Sequence, residues 1–268
     1  MNTGRPVGRL LREWRQRRRL SQLALACEAE ISTRHLSFLE TGRSLPSREM
    51  ILHLAEQLNI PLRERNVLMM AAGYAPTFAE RPLDDPVLRP ARRAVDLVLT
   101  GHEPYPALAV DRHWTLVASN KTIAPLVSGV SAELLRPPIN VLRVGLHPNG
   151  IAPRIINFPE WRSHLIARLR HQIDVTADPT LKQLMSEVLS YPMPSKMTNS
   201  APGLERYAGV VVPLQLAAED GVLSFFSTTT VFGTPVDITL AELALESFFP
   251  ADSATAETLR RLAEESRR

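Results

Sequence analysis

Cysteine is nearly missing from this chain. Cys27 is the only one in 268 residues, so an internal disulfide framework and a multi-cysteine zinc site are both excluded. Its neighbour Glu28 does not favour a thiolate, and no redox role is expected. No run of 18 apolar residues occurs, so no segment reads as a membrane span. The N-terminus MNTGRPVGRLLREWRQRRRL is basic but lacks the apolar stretch of an export signal. A cytoplasmic protein is expected. The seven histidines show no metal spacing. His164 and His171 share a helix face without a carboxylate set or an HExxH arrangement. GxSxG, GxGxxG and phosphate-loop patterns are absent. Neither a metal, a cofactor nor an enzyme is expected.

What is present suits a folded, globular chain. With 44% hydrophobic and 22% charged residues, it can form one large core or two smaller ones. Charge is uneven. Residues 1–75 carry 12 Arg against 7 Asp and Glu, a net of +5, while the remainder nets −2. An anionic partner for the first part fits this division. Charge alone would equally fit a solvated basic surface.

Residues 7–19 suit a helix, with Val7, Leu10, Leu11 and Trp14 at three- and four-residue spacing. A second helix follows Ser21 as N-cap, with Leu25, Ala26 and Ala29 inward. A third begins at Ser32. Ile31 can pack on Leu36 as a hydrophobic staple, Leu36 and Leu39 form the seam, and Gly42 ends the helix. Pro46-Ser47 starts a fourth helix with Ile51, Leu54, Ala55 and Leu58 inward. Pro61 starts a fifth with Val67 and Leu68 inward.

Two short helices about four residues apart form a helix-turn-helix pattern. It turns Thr33, Arg34, Ser37 and Phe38 outward. Arg34 is a cation in a helix's first turn, where the dipole disfavours it. Its expected partner is therefore outside the helix: guanine O6 and N7 in a major groove. Ser32 and Thr33 are expected to reach a base edge or a phosphate, and Phe38 a thymine methyl. Gln22 and Arg43 are placed for phosphates.

Residues 7–72 resemble the phage-repressor-type helix-turn-helix of the XRE class, through LSQLALA, ISTRHLSFLETGR and the flanking helices. One position departs from the pattern. Glu30 stands where the family usually has glycine, so its backbone is expected to be strained or the turn altered.

Residues 73–90, GYAPTFAERPLDDPVLRP, read as a linker. A helix with Ala94, Val95, Leu97 and Val98 inward should follow. YPALAVDRHWTLVASN reads as a hairpin turning at Asp111-Arg112-His113, with Asn120 capping the next helix. AGVVVPLQL and GVLSFFSTTTVFG read as a second hairpin, joined by Ala217-Ala218-Glu219-Asp220. LALESFFP, residues 243–250, fits a strand better than a helix. EWRSHLIARLRHQIDV and SATAETLRRLAEES read as helices, the latter capped by Ser253. Phe225 and Phe226 point to opposite faces of their strand.

Two strands, several helices and three strands is the order of a PAS domain. GHEPYPALAVDRHWTLVASN, PPINVLRVGLHPNGIAPRIINFPEWRSHL and LSFFSTTTVFGTPVDITLAELALESFFPAD are similar to the MmyB-like transcription regulators. The resemblance implies an all-α, five-helix, phage-repressor-like DNA-binding head. Behind it would lie an α+β PAS-like domain with a five-stranded antiparallel sheet. The expected division is 1–75 for the head, 76–90 for the linker and 91–268 for ligand binding and dimerisation. At least one relative is associated with a bound fatty acid, and a small, mainly apolar ligand is the expectation here, its identity left open.

Arg143, His147, Trp161, Arg162 and Phe226 are the candidate ligand residues. In that reading a cation anchors a carboxylate and Trp161 covers the chain. Alternatively, Asn157 and His147 only satisfy loop backbone and Trp161 is ordinary core. The expected function is a homodimeric repressor on a double-stranded operator, released or recruited by its ligand, with no membrane association. The alternatives are a C-terminal platform for dimerisation or a protein partner, and an enzyme fused to the head.

Overall fold

The computed structural model describes residues 6–194, 211–219 and 221–265. The chain divides into two units. One is built on residues up to Arg81 together with Asp174–Ala177 and Pro235–Ala241. The other holds Pro82–Ile173, Asp178–Thr234 and residues from Glu242 onward.

Five helices make the first unit: α1 Val7–Arg17, α2 Gln22–Glu28, α3 Thr33–Glu40, α4 Arg48–Gln57 and α5 Leu62–Ala71. Three serines start them as expected. Ser21, Ser32 and Ser47 each accept a hydrogen bond from the backbone N–H three residues on, at 3.0, 3.1 and 3.2 Å. Each satisfies a donor that the first turn leaves open. Ile31 packs against the cluster holding the fully buried Leu36 and Leu39. Gly42 closes α3 at φ +74°, the left-handed conformation glycine adopts freely. Glu30 takes φ +51°, so the unusual turn residue is forced left-handed.

Two details of this unit differ from the sequence pattern. Helix α1 stops at Arg17 and Arg19 turns to φ +57°. In α5, Val67 is only partly buried, while Met69 and Asn66 join Leu68 inside. Asn66 explains its own burial. Its Oδ1 accepts from the N–H groups of Thr77 and Phe78, and its Nδ2 donates to the Phe78 carbonyl. One side chain thereby anchors the start of the proline-rich stretch.

The second unit begins with a 3₁₀ turn, Pro86–Leu88, and α6, Arg89–Gly101. Helix α6 presents a different face from the one expected. Val95 and Leu99 are buried, while Ala94, Leu97 and Val98 are exposed. The i, i+4 pair is what meets the sheet. Strands β1 Ala107–Val110 and β2 Leu116–Ser119 follow, then α7 Ile123–Leu126, α8 Val141–Leu146, α9 Phe158–Thr176 and α10 Pro179–Ser190. The unit ends with β3 Leu214–Ala218, β4 Gly221–Val231 and β5 Ala244–Pro250, and with α12 Ser253–Glu265; the short α11, Ile238–Ala241, precedes β5 in the chain but is counted with the first unit. All neighbours pair antiparallel in the order β2-β1-β5-β4-β3. The expected five-stranded sheet is present, and residues 243–250 supply its central strand.

The turns needed correction. The first hairpin's loop runs to Thr115, because the Asp111 carboxylate accepts from the N–H groups of His113 and Thr115, both at 2.8 Å. Asn120 caps nothing. It is buried, accepting from Ala107 N–H and donating to the carbonyls of Leu99 and Tyr105. Ala217 and Ala218 belong to β3, paired with Val222 and Gly221. Residues 208–210 of the expected strand lie outside the described residues, and β3 itself starts only at Leu214. Asp252, not Ser253, caps the last helix: its carboxylate accepts from Thr255 N–H at 2.7 Å.

Strand alternation decides which side chains enter which core. On β1, Ala107 and Ala109 pack with Val95, Leu99 and Leu245. Leu108 points the other way, toward α7, α8 and α9. On β5, Leu245 joins the α6 side, while Glu246 and Phe248 face with Leu108.

Candidate nucleic-acid surface and ligand cavity

The helix pair α2–α3 owes its geometry to one buried ion pair. Arg15 on α1 donates from Nε and Nη2 to the two oxygens of Glu40, at 2.6 and 2.8 Å. Arg15 Nη1 also donates to the Leu20 carbonyl. Gln22 adds Nε2 to Glu40 Oε2 at 2.8 Å. Three helices thus meet on one carboxylate. This also qualifies the expectation for Gln22, whose amide nitrogen is directed inward.

On α3, Ser32, Thr33 and Arg34 are exposed, and Ser37 and Phe38 are half-buried. The Arg34 guanidinium lies over the Phe38 ring at 5.3 Å, and that of Arg43 over the same ring at 5.8 Å. Phe38 is therefore a platform between two cations. That arrangement could not be read from residue spacing along α3 alone. The Ser32 oxygen caps its own helix, which leaves its hydroxyl hydrogen to donate outward.

The second unit contains a cavity of about 560 Å³. Its walls are the inner face of the sheet (Leu108, Leu116, Leu214, Leu216, Phe248) and helices α7, α8 and α9 (Ile123, Leu126, Leu142, Val144, Trp161, Leu165). Such a volume falls in the range of small-molecule sites.

Of the residues expected around a ligand, Trp161 lines this cavity and the others do not. Arg143 donates from Nε and Nη2 to Glu187, both at 2.8 Å, on the exposed side of α8. His147 meets the Tyr191 ring at 4.9 Å, and its Nδ1 accepts from Asn149 N–H. Arg162 donates to the carbonyls of Val188 and Leu189 at the end of α10. Phe226 stacks on Phe249 at 5.2 Å. Asn157 is buried, accepting from Gln215 N–H and donating to the Pro213 carbonyl. The irregular segment's polar groups are thus spent on structure. Arg143, the Glu187 carboxyl and the Tyr191 hydroxyl form one network. The hydrogen bond from Arg143 holds Glu187 below its usual range, while burial works against it. Burial first, then the hydrogen bond to Glu187, pushes Tyr191 up to about 12.

The polar groups that do line the cavity were missed by motif reading. They include Ser119, Lys121, Arg168 and Glu246. Arg168 on α9 donates through Nη2 to Glu246 Oε1 and to Thr229 Oγ1, and Thr229 donates to Glu246 Oε1 at 2.8 Å. The Arg168 guanidinium sits over the Trp114 ring at 4.9 Å, and Trp114 Nε1 donates to Gln172. His164 stacks on Trp161. Burial lowers its pKa, the Arg168 charge adds to this, and Glu246 opposes it. One signal was available: alternation along LALESFFP puts a charged residue at an inward position beside Phe248.

Residues 91–262 match the MmyB-like transcription regulator ligand binding domain. The chain belongs to that family. Residues 6–68 match a helix-turn-helix domain. The chain thus carries a helix-turn-helix domain ahead of an MmyB-like transcription regulator ligand-binding domain. No curated protein matches the chain. One similar solved structure is that of an RNA-binding light-oxygen-voltage receptor, at 13% identity and a TM-score of 0.25. The match covers 95% of this chain, which spans 62% of that receptor. A similarity that low carries no structural argument. Among the described residues no helix of this MmyB-like regulator is long and apolar enough to cross a membrane, and no cluster of metal-ligating side chains occurs.

Proposed function

We propose that this MmyB-like regulator is a cytoplasmic, homodimeric repressor whose ligand is a small, mainly apolar molecule of fatty-acid size. Residues 1–75 bind the operator, residues 76–90 connect, and residues 91–268 bind the ligand and dimerise. The observation that carries the ligand reading is the cavity of about 560 Å³, walled almost wholly by aliphatic and aromatic side chains. Burying an alkyl chain there releases about 0.8 kcal/mol per methylene.

On the DNA side, Arg34 reads a guanine edge with Phe38 and Thr33 beside it. Arg43, Gln22, Ser32 and Ser37 contact the backbone or base edges. Two heads of a dimer would span half-sites ~34–36 Å apart or a multiple of that. The exposed Leu97 and Val98 on α6 support a contact between copies. Ligand shifts operator affinity only by the difference in its affinity for the DNA-competent and DNA-incompetent states.

Native mass spectrometry and lipid extraction of the purified full chain test the ligand reading. A co-purifying amphiphile whose removal changes operator affinity is the expected result. An empty protein that takes up no alkyl probe and whose operator affinity never responds would favour a C-terminal domain that only dimerises. A gel shift showing no affinity for any promoter fragment at low salt would overturn the DNA reading. Sedimentation of Leu97→Glu, expected as a monomer, tests the dimer.

A further inference from the structure

The cavity holds one charged pair, and that pair is internally balanced. Glu246 is 5% exposed and lies on the central strand of the sheet, among apolar walls. Its Oε1 receives both Arg168 Nη2 and Thr229 Oγ1. Its Oε2 accepts from no other side chain or backbone group among the described residues. Arg168 spends Nη2 on Glu246 and Thr229, and its Nε and Nη1 donate to none of the described residues. The pair therefore offers an incoming molecule one open acceptor and two kinds of open donor, with no net charge.

We propose that the Arg168–Glu246 pair reads the polar end of the ligand and selects an uncharged head that both donates and accepts, a primary alcohol or amide, over a carboxylate. The proposal rests on the reading of this cavity as the ligand site. An alcohol or amide gives its hydrogen to Glu246 Oε2 and takes one from Arg168, leaving the local charge at zero. A carboxylate has no hydrogen for Glu246 and brings a second negative charge beside it, next to largely apolar walls. A second like charge beside a carboxylate as buried as Glu246, 5% exposed, is costly. Arg168 cannot serve it alone, because its charge is already matched by Glu246.

Lys121 also lines the cavity but does not rescue a carboxylate. Its side chain is 67% exposed, and its ammonium pairs with Glu103 at 3.4 Å. Water and that partner screen its attraction. Ser119 lines the cavity too but brings only a neutral hydroxyl, and Asn120 has its amide committed to Ala107, Leu99 and Tyr105. The head is thus read by Arg168 and Glu246.

The test is a titration of the delipidated full chain with decanol, decanamide and decanoate, at about pH 8 where decanoate is ionised. The three probes share one alkyl length, so differences report the head. Decanol and decanamide should bind about tenfold tighter than decanoate or better. Glu246→Gln should reverse the order, because Arg168 then has an unmatched charge for decanoate. Decanoate binding as tightly as the neutral probes in the wild type would overturn the proposal, and that comparison needs no variant. An unchanged order in a folded Glu246→Gln protein would also overturn it. Failure of all three probes would instead overturn the ligand reading of the cavity, and this proposal with it.

Discussion

Arg15 and Glu40 form a two-pronged ion pair with side chains 9% and 1% exposed, which fixes α1 to the end of α3. Arg15's hydrogen bond to the Glu40 carboxylate raises the Arg15 pKa above its ordinary value, against the effect of burial. Breaking a buried pair from one side leaves the other charge stranded. Glu40→Ala should therefore cost about 3–5 kcal/mol of stability, read as a lower urea midpoint. A loss under about 1 kcal/mol, the range of an exposed pair, would contradict this account.

Gly8 is a second point of close approach between α1 and α3. A Cβ placed there would sit 2.1 Å from the Leu39 carbonyl oxygen. Gly8→Ala forces backbone apart from backbone and should destabilise the first unit by about 1–3 kcal/mol, despite alanine's better helix propensity. A thermal melt that rises would contradict this contact.

Glu30 presents the opposite case. It is exposed and held at φ +51° in the turn between α2 and α3. Glu30→Gly removes the cost of a left-handed side-chain-bearing residue and should stabilise by ~0.5–1 kcal/mol. A lower melting temperature would mean the Glu30 side chain contributes something its exposure does not show.

Arg34 and Arg43 share the Phe38 ring but are assigned different tasks on DNA. Arg34→Ala should cost ~1–3 kcal/mol on the preferred operator and relax selectivity at one base pair. Arg43→Ala should weaken all sequences alike and reduce the salt slope by about 1. Anisotropy titrations against a panel of operators, at several salt concentrations, separate the two. Equal loss on every sequence from Arg34→Ala would make it a phosphate contact.

Arg143→Ala should leave ligand affinity unchanged, since Arg143 is paired with Glu187 outside the cavity. Its effect on stability should be under about 1 kcal/mol, because both partners are substantially exposed. The sign with pH follows from Glu187, whose folded pKa is depressed. The pair's contribution is present above the ordinary carboxylate range and is lost as pH falls through Glu187's folded value. The stability gap between wild type and variant should close in acid. A gap that widens there would refute the linkage.

Local signals carried much of this architecture. The caps at Ser21, Ser32 and Ser47, the left-handed Gly42 and the leucines of α3 and α4 act within a few residues of one another, so spacing along the chain was enough to place five helices. The succession of strands along the chain was legible for a similar reason: β-branched and aromatic runs bounded by turn residues mark strands before any pairing is known, although residues 243–250 also fitted a helix. Even the strain at Glu30 was visible, because the expected turn demands a conformation that glutamate resists.

Tertiary structure decided the partners of the polar side chains. Nothing local shows that Asn66 will hold Thr77 and Phe78, that Asn120 will be buried among three backbone groups, or that Glu40 will gather Arg15 and Gln22 from two other helices. Four of the five candidate ligand residues lie away from the cavity for this reason, and Trp161 alone of them lines it. Arg143 and Arg162 sit in a promising segment, but Glu187 and the carbonyls of α10 reach them first. Arg168 and Glu246, 78 positions apart, come together only when α9 is laid across the sheet. A charge's role depends on which groups surround it in space. The chain order fixes its helices and strands, but only packing determines which charges face the cavity.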